Sequence, residues 1–348
     1  MGVLRFLLAF CVVTAHAGPL AGIKLGDGRL AVQIFYMVSG FYMSMVWTEK
    51  YSQIPSPVKT FYQSRALRIY PLYFLVLAVS LLIVIYLKFP LQYTLNNPPS
   101  FETAIWVYLT QITLIGMETP IFFGLDGYWI SPVAWTLGLE ITFYLLVPVL
   151  MERPRLMVFL VFSSLLGRYV AYETMEWSEH SKSYESVWSY RFFPFEIALF
   201  LAGSIAQQMF SNKPRRFITL LDNSMLYATL FAFVVATLVF FPKLKNYMGE
   251  SAYWLYYLIV FVTISQLFQC TKKNEYDFQV GELSYPMYLL HIPILWVVAS
   301  FSEPANYIYW VLPATVFFSI AASKLQRTFD NYRHGFYEMQ KIQINYSR

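Results

Sequence analysis

The chain has 348 residues, of which 57% are hydrophobic, 20% aromatic and only 13% charged. A soluble domain carries about a quarter charged residues and just under half apolar ones, so disordered, collagenous, coiled-coil and disulfide-scaffold classes are excluded and lipid is the expected solvent. The net charge of +5 is small and must be read loop by loop, and Cys11 and Cys270 fall in or beside apolar runs, so no oxidised framework is implied.

The first 17 residues have the look of a signal peptide: Arg5, an apolar run, then Ala15-His16-Ala17. The basic region is a single arginine set inside the apolar run, so the segment is read as a retained first transmembrane helix. A span takes about 20 mostly apolar residues. By that measure spans are predicted at 3–21, 30–48, 70–88, 131–150, 155–172, 191–210, 222–241, 251–269, 281–300 and 307–323. A further stretch, 103–118, is apolar but short, and Pro120, Gly124 and Gly127 follow it.

The cations decide how that stretch is treated. If it does not cross, one side collects Arg5; Lys50, Lys59, Arg65 and Arg68; Arg153 and Arg155; Lys213, Arg215 and Arg216; Lys272 and Lys273; and Lys324, Arg327, Arg333, Lys341 and Arg348. The other side keeps Lys24, Arg29, Lys88, Lys182, Lys243 and Lys245, with Arg168 and Arg191 at helix ends. The positive-inside rule then gives ten crossings, both termini cytoplasmic, 103–118 re-entrant or peripheral on the outer face, and the acidic loop Glu173, Glu176, Glu179 and Glu185 outside. The expected fold is all-α, a polytopic transmembrane bundle of about ten helices: one membrane domain over 1–323 and a cytoplasmic tail over 324–348. The sequence has no internal repeat, phosphate-binding glycine loop or metal-ligand spacing. Its dispersed basic residues form no stripe for nucleic acid.

Ionisable groups inside a membrane helix cost about 2.5–3.5 kcal/mol on insertion scales, which makes each a candidate functional residue. Arg5 and His16 are 11 residues apart, and 11 steps of about 100° return to nearly the same face, about 16 Å further along. Arg5 is expected at the cytoplasmic mouth and His16 deep in the membrane. In the second span Ser39-Gly40 is a small pair that admits a helix or a ligand. Glu140 is a carboxyl midway along an apolar span, needing a partner whether structural or catalytic. Ser284, Tyr288 and His291 follow an i, i+4, i+7 spacing on one face. Four polar clusters at similar depth suggest an enclosed site. Arg65 and Arg68, one helical turn apart, suit phosphate but equally suit a topology anchor.

Taken together these residues resemble the acyltransferase 3 family, integral-membrane O-acyltransferases of bacterial surface glycans. The resemblance is carried by Arg5-x10-His16, Phe35 to Phe41 ending in Ser-Gly-Phe, Arg65-x-x-Arg68 with Pro71, Trp135-Thr-Leu-Gly-Leu-Glu140, and Gly281-x-x-Ser284-Tyr285-Pro-x-Tyr288-x-x-His291, in the family's order. It implies an acyl-CoA donor, by family default acetyl-CoA, on the cytoplasmic side of the inner membrane. The implied acceptor is a hydroxyl of a cell-surface polysaccharide or lipopolysaccharide O-antigen sugar, and no metal is implied. His16 is then the catalytic base with Arg5 its partner on the same stripe, and Arg65 and Arg68 contact the coenzyme A phosphates. Ser39, Tyr288 and His291 are supporting residues. Glu140 or a tyrosine is expected to hold the His16 tautomer, and an acyl-histidine relay stays open. Gln33 stands where many members have an acid, and Thr136 where many have serine. Many relatives add an extracytoplasmic SGNH hydrolase-like domain; without one, direct delivery or a separate partner is expected. A transporter or flippase of a glycan or lipid intermediate is the alternative, although it predicts paired interrupted halves that the sequence lacks. A catalytically dead scaffold is a third reading.

Overall fold

The computed structural model describes residues 1–22, 26–87, 99–174, 188, 190–211 and 224–346. Lys24, Lys88, Glu176, Glu179, Lys182, Glu185, Lys213, Arg215, Arg216 and Arg348 lie outside the described residues. All regular structure among the described residues is helical. In chain order the α-helices are α1 Gly2–Ala17, α2 Gly28–Glu49, α3 Pro57–Leu87, α4 Phe101–Thr113, α5 Trp135–Leu150, α6 Pro154–Thr174, α7 Phe193–Ser211, α8 Ser224–Met248, α9 Ser251–Thr271, α10 Glu275–Glu282, α11 Ser284–Ala299 and α12 Tyr307–Tyr346.

Nine segments among the described residues are long and apolar enough to cross a membrane, and they coincide with nine of the predicted spans. The first predicted span is shorter than expected: α1 has 16 residues, about 24 Å, against a hydrocarbon core of about 30 Å. Helix α4 has 13 residues, about 20 Å, too short to cross. Ser100 starts it, its hydroxyl accepting from the Thr103 amide, and Leu114 ends it in the left-handed region at φ 61°. Short 3-10 turns then lead to α5. The segment from 324, read as a tail, continues α12 without a break to Tyr346.

The described chain falls into two compact units. The first comprises Met1–Met45, Leu199–His291 and Glu303–Ser323; the second comprises Val46–Ala198, Ile292–Ser302 and Lys324–Arg348.

In the first unit, lipid offers no hydrophobic drive between helices, so close backbone approach carries the packing. Gly40 and Gly203 let α2 and α7 touch: a Cβ on Gly40 would lie 1.8 Å from the Phe200 carbonyl oxygen, and one on Gly203 1.8 Å from that of Met37. Polar contacts follow, with the Ser204 hydroxyl donating to the Gly40 carbonyl at 2.9 Å and the Ser44 hydroxyl to Gln207 at 2.9 Å. Gly40 therefore packs against a helix. Asp27 caps α2, accepting from the Arg29 and Leu30 amides, and pairs with Lys245 at 3.1 Å. Burial pushes the Asp27 carboxyl up, but the Lys245 ammonium and the capping amides outweigh it and hold it below the usual range.

In the second unit, tyrosines on α3 reach the backbone of its neighbours: Tyr62 donates to the Leu145 carbonyl at 2.8 Å and Tyr73 to that of Gln111 at 2.6 Å. Gln111 accepts from the Ile130 amide at 2.7 Å and ties α4 to the turns before α5. Arg168 and Glu196 form an ion pair between α6 and α7, with Glu196 fully buried. Glu118 is also buried, and its Oε2 points at the first turn of α5, 3.1 Å from where a Cβ on Gly138 would be.

Gly40→Ala should drive α2 and α7 apart and cost at least about 1–3 kcal/mol, read as a lower unfolding temperature in detergent. Gly335→Ala, with open space around it, should not. Burial pushes the Glu118 carboxyl up to about 7. Folding therefore favours the protonated acid, and that stability is complete below the ordinary value of about 4.5 and lost as pH rises through about 7, a total of about 3 kcal/mol. Glu118→Gln should flatten the fall in unfolding temperature between about pH 5 and about pH 8. An unchanged slope would show that the carboxyl is not the group responsible.

Candidate functional site

The site in the first unit is built on α1 and the α10–α11 pair, which run side by side in the same direction. Pro286 sets the geometry of that pair. It has no N–H to donate to the carbonyl of Glu282, and its ring crowds that carbonyl, so the helix breaks at Leu283. Beside the break, the Gly281 carbonyl accepts from Arg5 Nη2 at 2.8 Å and from the Ser284 hydroxyl at 2.6 Å; Arg5 Nη2 also reaches Ser284 Oγ at 3.1 Å. A guanidinium at a helix C-terminus satisfies an orphan carbonyl and matches the negative end of the dipole.

Asp277 in the first turn of α10 does the converse. Its carboxylate accepts from the Gly2 amide at 2.6 Å, the Val3 amide at 2.9 Å and the Met1 ammonium at 2.8 Å, capping the N-terminus of α1. The approach needs two glycines: a Cβ on Gly2 would lie 1.6 Å from the Asp277 carbonyl oxygen, and one on Gly281 2.5 Å from the Gly2 Cα.

With the register fixed at this end, α1 delivers His16 to His291. His291 Nε2 lies 3.2 Å from His16 Nδ1, with ring centroids 5.1 Å apart. The backbone sets the protons. His291 Nδ1 faces the Met287 carbonyl at 3.2 Å, and a carbonyl only accepts, so that nitrogen carries the hydrogen and Nε2 the lone pair. His16 Nδ1 faces both the Val12 carbonyl at 3.0 Å and that lone pair, so it too carries the hydrogen. His16 Nε2 is consequently the basic position of its ring. His291 is fully buried and His16 exposed. Helix α11 continues from Ile292 to Ala299, about 12 Å more, so the pair lies inside the length of the span, in the last turn of the shorter α1.

Tyr288 stands beside the pair, its ring 6.0 Å from that of His291 and 6.4 Å from that of Phe35. Ser284 belongs to the Arg5 corner. Ser39 is in the same unit on α2, next to the Gly40 crossing. Glu140, Arg65 and Arg68 belong to the second unit. Glu140 accepts from the Tyr144 hydroxyl one turn along α5. Arg65 donates to Ser64 Oγ at 3.1 Å, and Arg68 pairs with Asp330 of α12 at 2.7 Å. The group at His16 Nδ1 is thus a second histidine. Among the described residues no group of His, Cys, Asp and Glu is placed to hold a metal ion.

Reading the sequence missed Asp277, the buried pair Arg168–Glu196, and Glu118. The rule that singled out Glu140, a carboxyl within an apolar window, would have found Glu196. Asp277 carries a local signal of its own, since the Asn274 side chain accepts from its amide as the cap of α10.

Residues 1–324 match the profile of the acyltransferase 3 family, described as an acyltransferase domain. An uncharacterized protein of Aquifex aeolicus (strain VF5) is 24% identical over 221 residues, covering 64% of this chain and 93% of that protein. Nodulation protein 10 of Rhizobium leguminosarum bv. viciae is 32% identical over 164 residues, 43% of this chain and 43% of that protein, so the match spans less than half of its length. No solved structure matches the chain. With the family profile covering the helices that build the site, this chain belongs to the acyltransferase 3 family and is a multi-pass membrane acyltransferase.

Proposed function

We propose that the protein transfers an acetyl group from acetyl-CoA to a hydroxyl of a bacterial cell-surface polysaccharide or O-antigen sugar, with His16 as the general base. The observation that carries this reading is the His16–His291 pair with both tautomers fixed by backbone carbonyls.

His16 Nε2 takes the proton of the acceptor hydroxyl as its oxygen attacks the thioester carbonyl carbon. The carbon–sulfur bond breaks, and the proton on Nε2 passes to the departing thiolate, so the histidine returns to its starting state. While His16 is positively charged, its Nδ1–H donates to the lone pair of His291. That contact steadies the imidazolium and holds the ring in place, the part a third group plays behind any nucleophile–base pair. His291 is then a positioning residue. Arg5 acts through the backbone it caps rather than on the reacting atoms, and Glu140, on the other unit, has no assigned step. Arg65 and Arg68 contact the donor phosphates. Both termini are cytoplasmic and the membrane is the inner one, in keeping with the side on which the cations gather.

His16→Ala, present in the membrane at normal level, should lower glycan acetylation by about 10²–10⁴-fold, read by mass spectrometry of the host's surface glycans. Normal acetylation would remove His16 from catalysis. His291→Ala should lower kcat with KM for acetyl-CoA unchanged and alter the pH profile, whereas His291→Gln, which keeps an acceptor, should recover part of the rate. A KM effect alone would make His291 merely structural. Single cysteines placed between 119 and 127 should react with an impermeant reagent from outside the cell, and labelling only from the cytoplasm would reverse the topology.

A further inference from the structure

Between α4 and α5 the chain lays a compact turn against the first turn of α5, and the activity proposed above makes no use of it. Among the described residues, 115–124 hydrogen-bond to one another and to Thr113, Leu114 and Leu125, and to nothing on α5. The near end is fixed by Tyr70 of α3, which donates to the Thr113 carbonyl. Rings fix the far end: the Phe122 centroid is 4.5 Å from that of Trp188 and 5.8 Å from that of Phe192, and Phe123 meets Trp106 at 5.3 Å. What holds residues 114–119 on α5 is therefore side-chain packing, by Met117, which is fully buried, and by Glu118.

The seat of Glu118 suits an acid and not its anion. The residue is 6% exposed, and its Oε2 has no hydrogen-bond partner. Oε2 and the Leu114 carbonyl oxygen flank one point, the place a Cβ on Gly138 would take, at 3.1 and 2.8 Å. An acid hydrogen on Oε2 has a carbonyl to turn towards, whereas a carboxylate sets one negative oxygen near another. The titratable groups of the neighbouring elements stand elsewhere. Glu102 and Tyr108 of α4 and Asp126 of the 3-10 turns are exposed, and Glu140, about 200° round α5 from Gly138, accepts from Tyr144. No charged group therefore offsets the burial that raises the Glu118 carboxyl, and its own backbone amide is the one opposing influence.

We infer that residues 114–119 form a pH-sensitive latch, closed on α5 while Glu118 carries its proton and released when that proton passes to water, the turn swinging between its fixed points at Thr113 and Phe122. Ionisation leaves a carboxylate that only water can satisfy, and opening supplies the water. Since no hydrogen bond ties the turn to α5, nothing but the packing of Met117 opposes the release. The latch is independent of the acyl-transfer chemistry. With 119–127 on the outer face, as proposed above, the acidity it answers to is that of the outer compartment.

The test is amide hydrogen exchange read by mass spectrometry on the full chain in phosphatidylcholine nanodiscs. Wild type and Glu118→Gln are compared at the same pH, so that the intrinsic pH dependence of exchange cancels. A carboxyl that titrates near 4.5 when open and near 7 when closed makes opening of 114–119, relative to Glu118→Gln, rise about thirty-fold from about pH 5.5 to about pH 8. Peptides covering the α2–α7 crossing should keep a constant ratio. Gly138→Ala, whose methyl group takes the point between Oε2 and the Leu114 carbonyl, should leave the turn open at both pH values. If the ratio of wild type to Glu118→Gln is the same at both pH values, the turn does not answer to Glu118 and the inference falls. If the ratio changes equally at the α2–α7 crossing, the carboxyl acts on the whole fold without a local opening, and the latch is likewise overturned.

Discussion

The arrangement of the first unit depends on a reciprocal exchange of helix ends. Helix α1 presents its first-turn amides to Asp277, which stands in the first turn of α10, while α10 presents a carbonyl of its last turn to Arg5, which stands in the first turn of α1. Each charge answers the other helix's dipole, and neither contact survives a shift of register by one residue. The register they set brings an imidazole on α1 within hydrogen-bonding distance of one on α11.

The remaining polar chemistry obeys the same constraint in smaller steps. Hydroxyls on the helices fold back onto carbonyls three or four residues earlier, as Thr14, Thr142 and Thr263 do, and so add polarity without an orphan. Where two helices meet at a glycine, the polar contact comes with the close approach, as at Gly40 and Ser204. Where a charge is buried it is paired, as Glu196 is with Arg168. Glu118 follows none of these patterns and is instead favoured as the neutral acid.

The spans were legible because nine of them announce themselves by length and apolarity, and the reading of 103–118 as non-crossing rested on cation distribution that agrees with the 13-residue length of α4. His16 and His291 were legible as ionisable groups in apolar runs. Their pairing was not, because nothing in a single sequence links position 16 to position 291, and a carboxylate or tyrosine partner for His16 was the expectation. Pro286 and Gly281 were visible as residues, but that the Gly281 carbonyl beside the helix break meets Arg5 is a fact of three dimensions.

The break at Leu283 makes α10 and α11 two rods rather than one, with α1 fastened to the first and the imidazole contact borne by the second. From Leu283 to His291 is an arm of about 12 Å, so a tilt of about 5° displaces the His291 ring by about 1 Å. That displacement stretches a 3.2 Å contact beyond hydrogen-bonding range. A bend at that joint therefore withdraws the second imidazole from His16 Nδ1 and leaves its hydrogen to the Val12 carbonyl of its own helix.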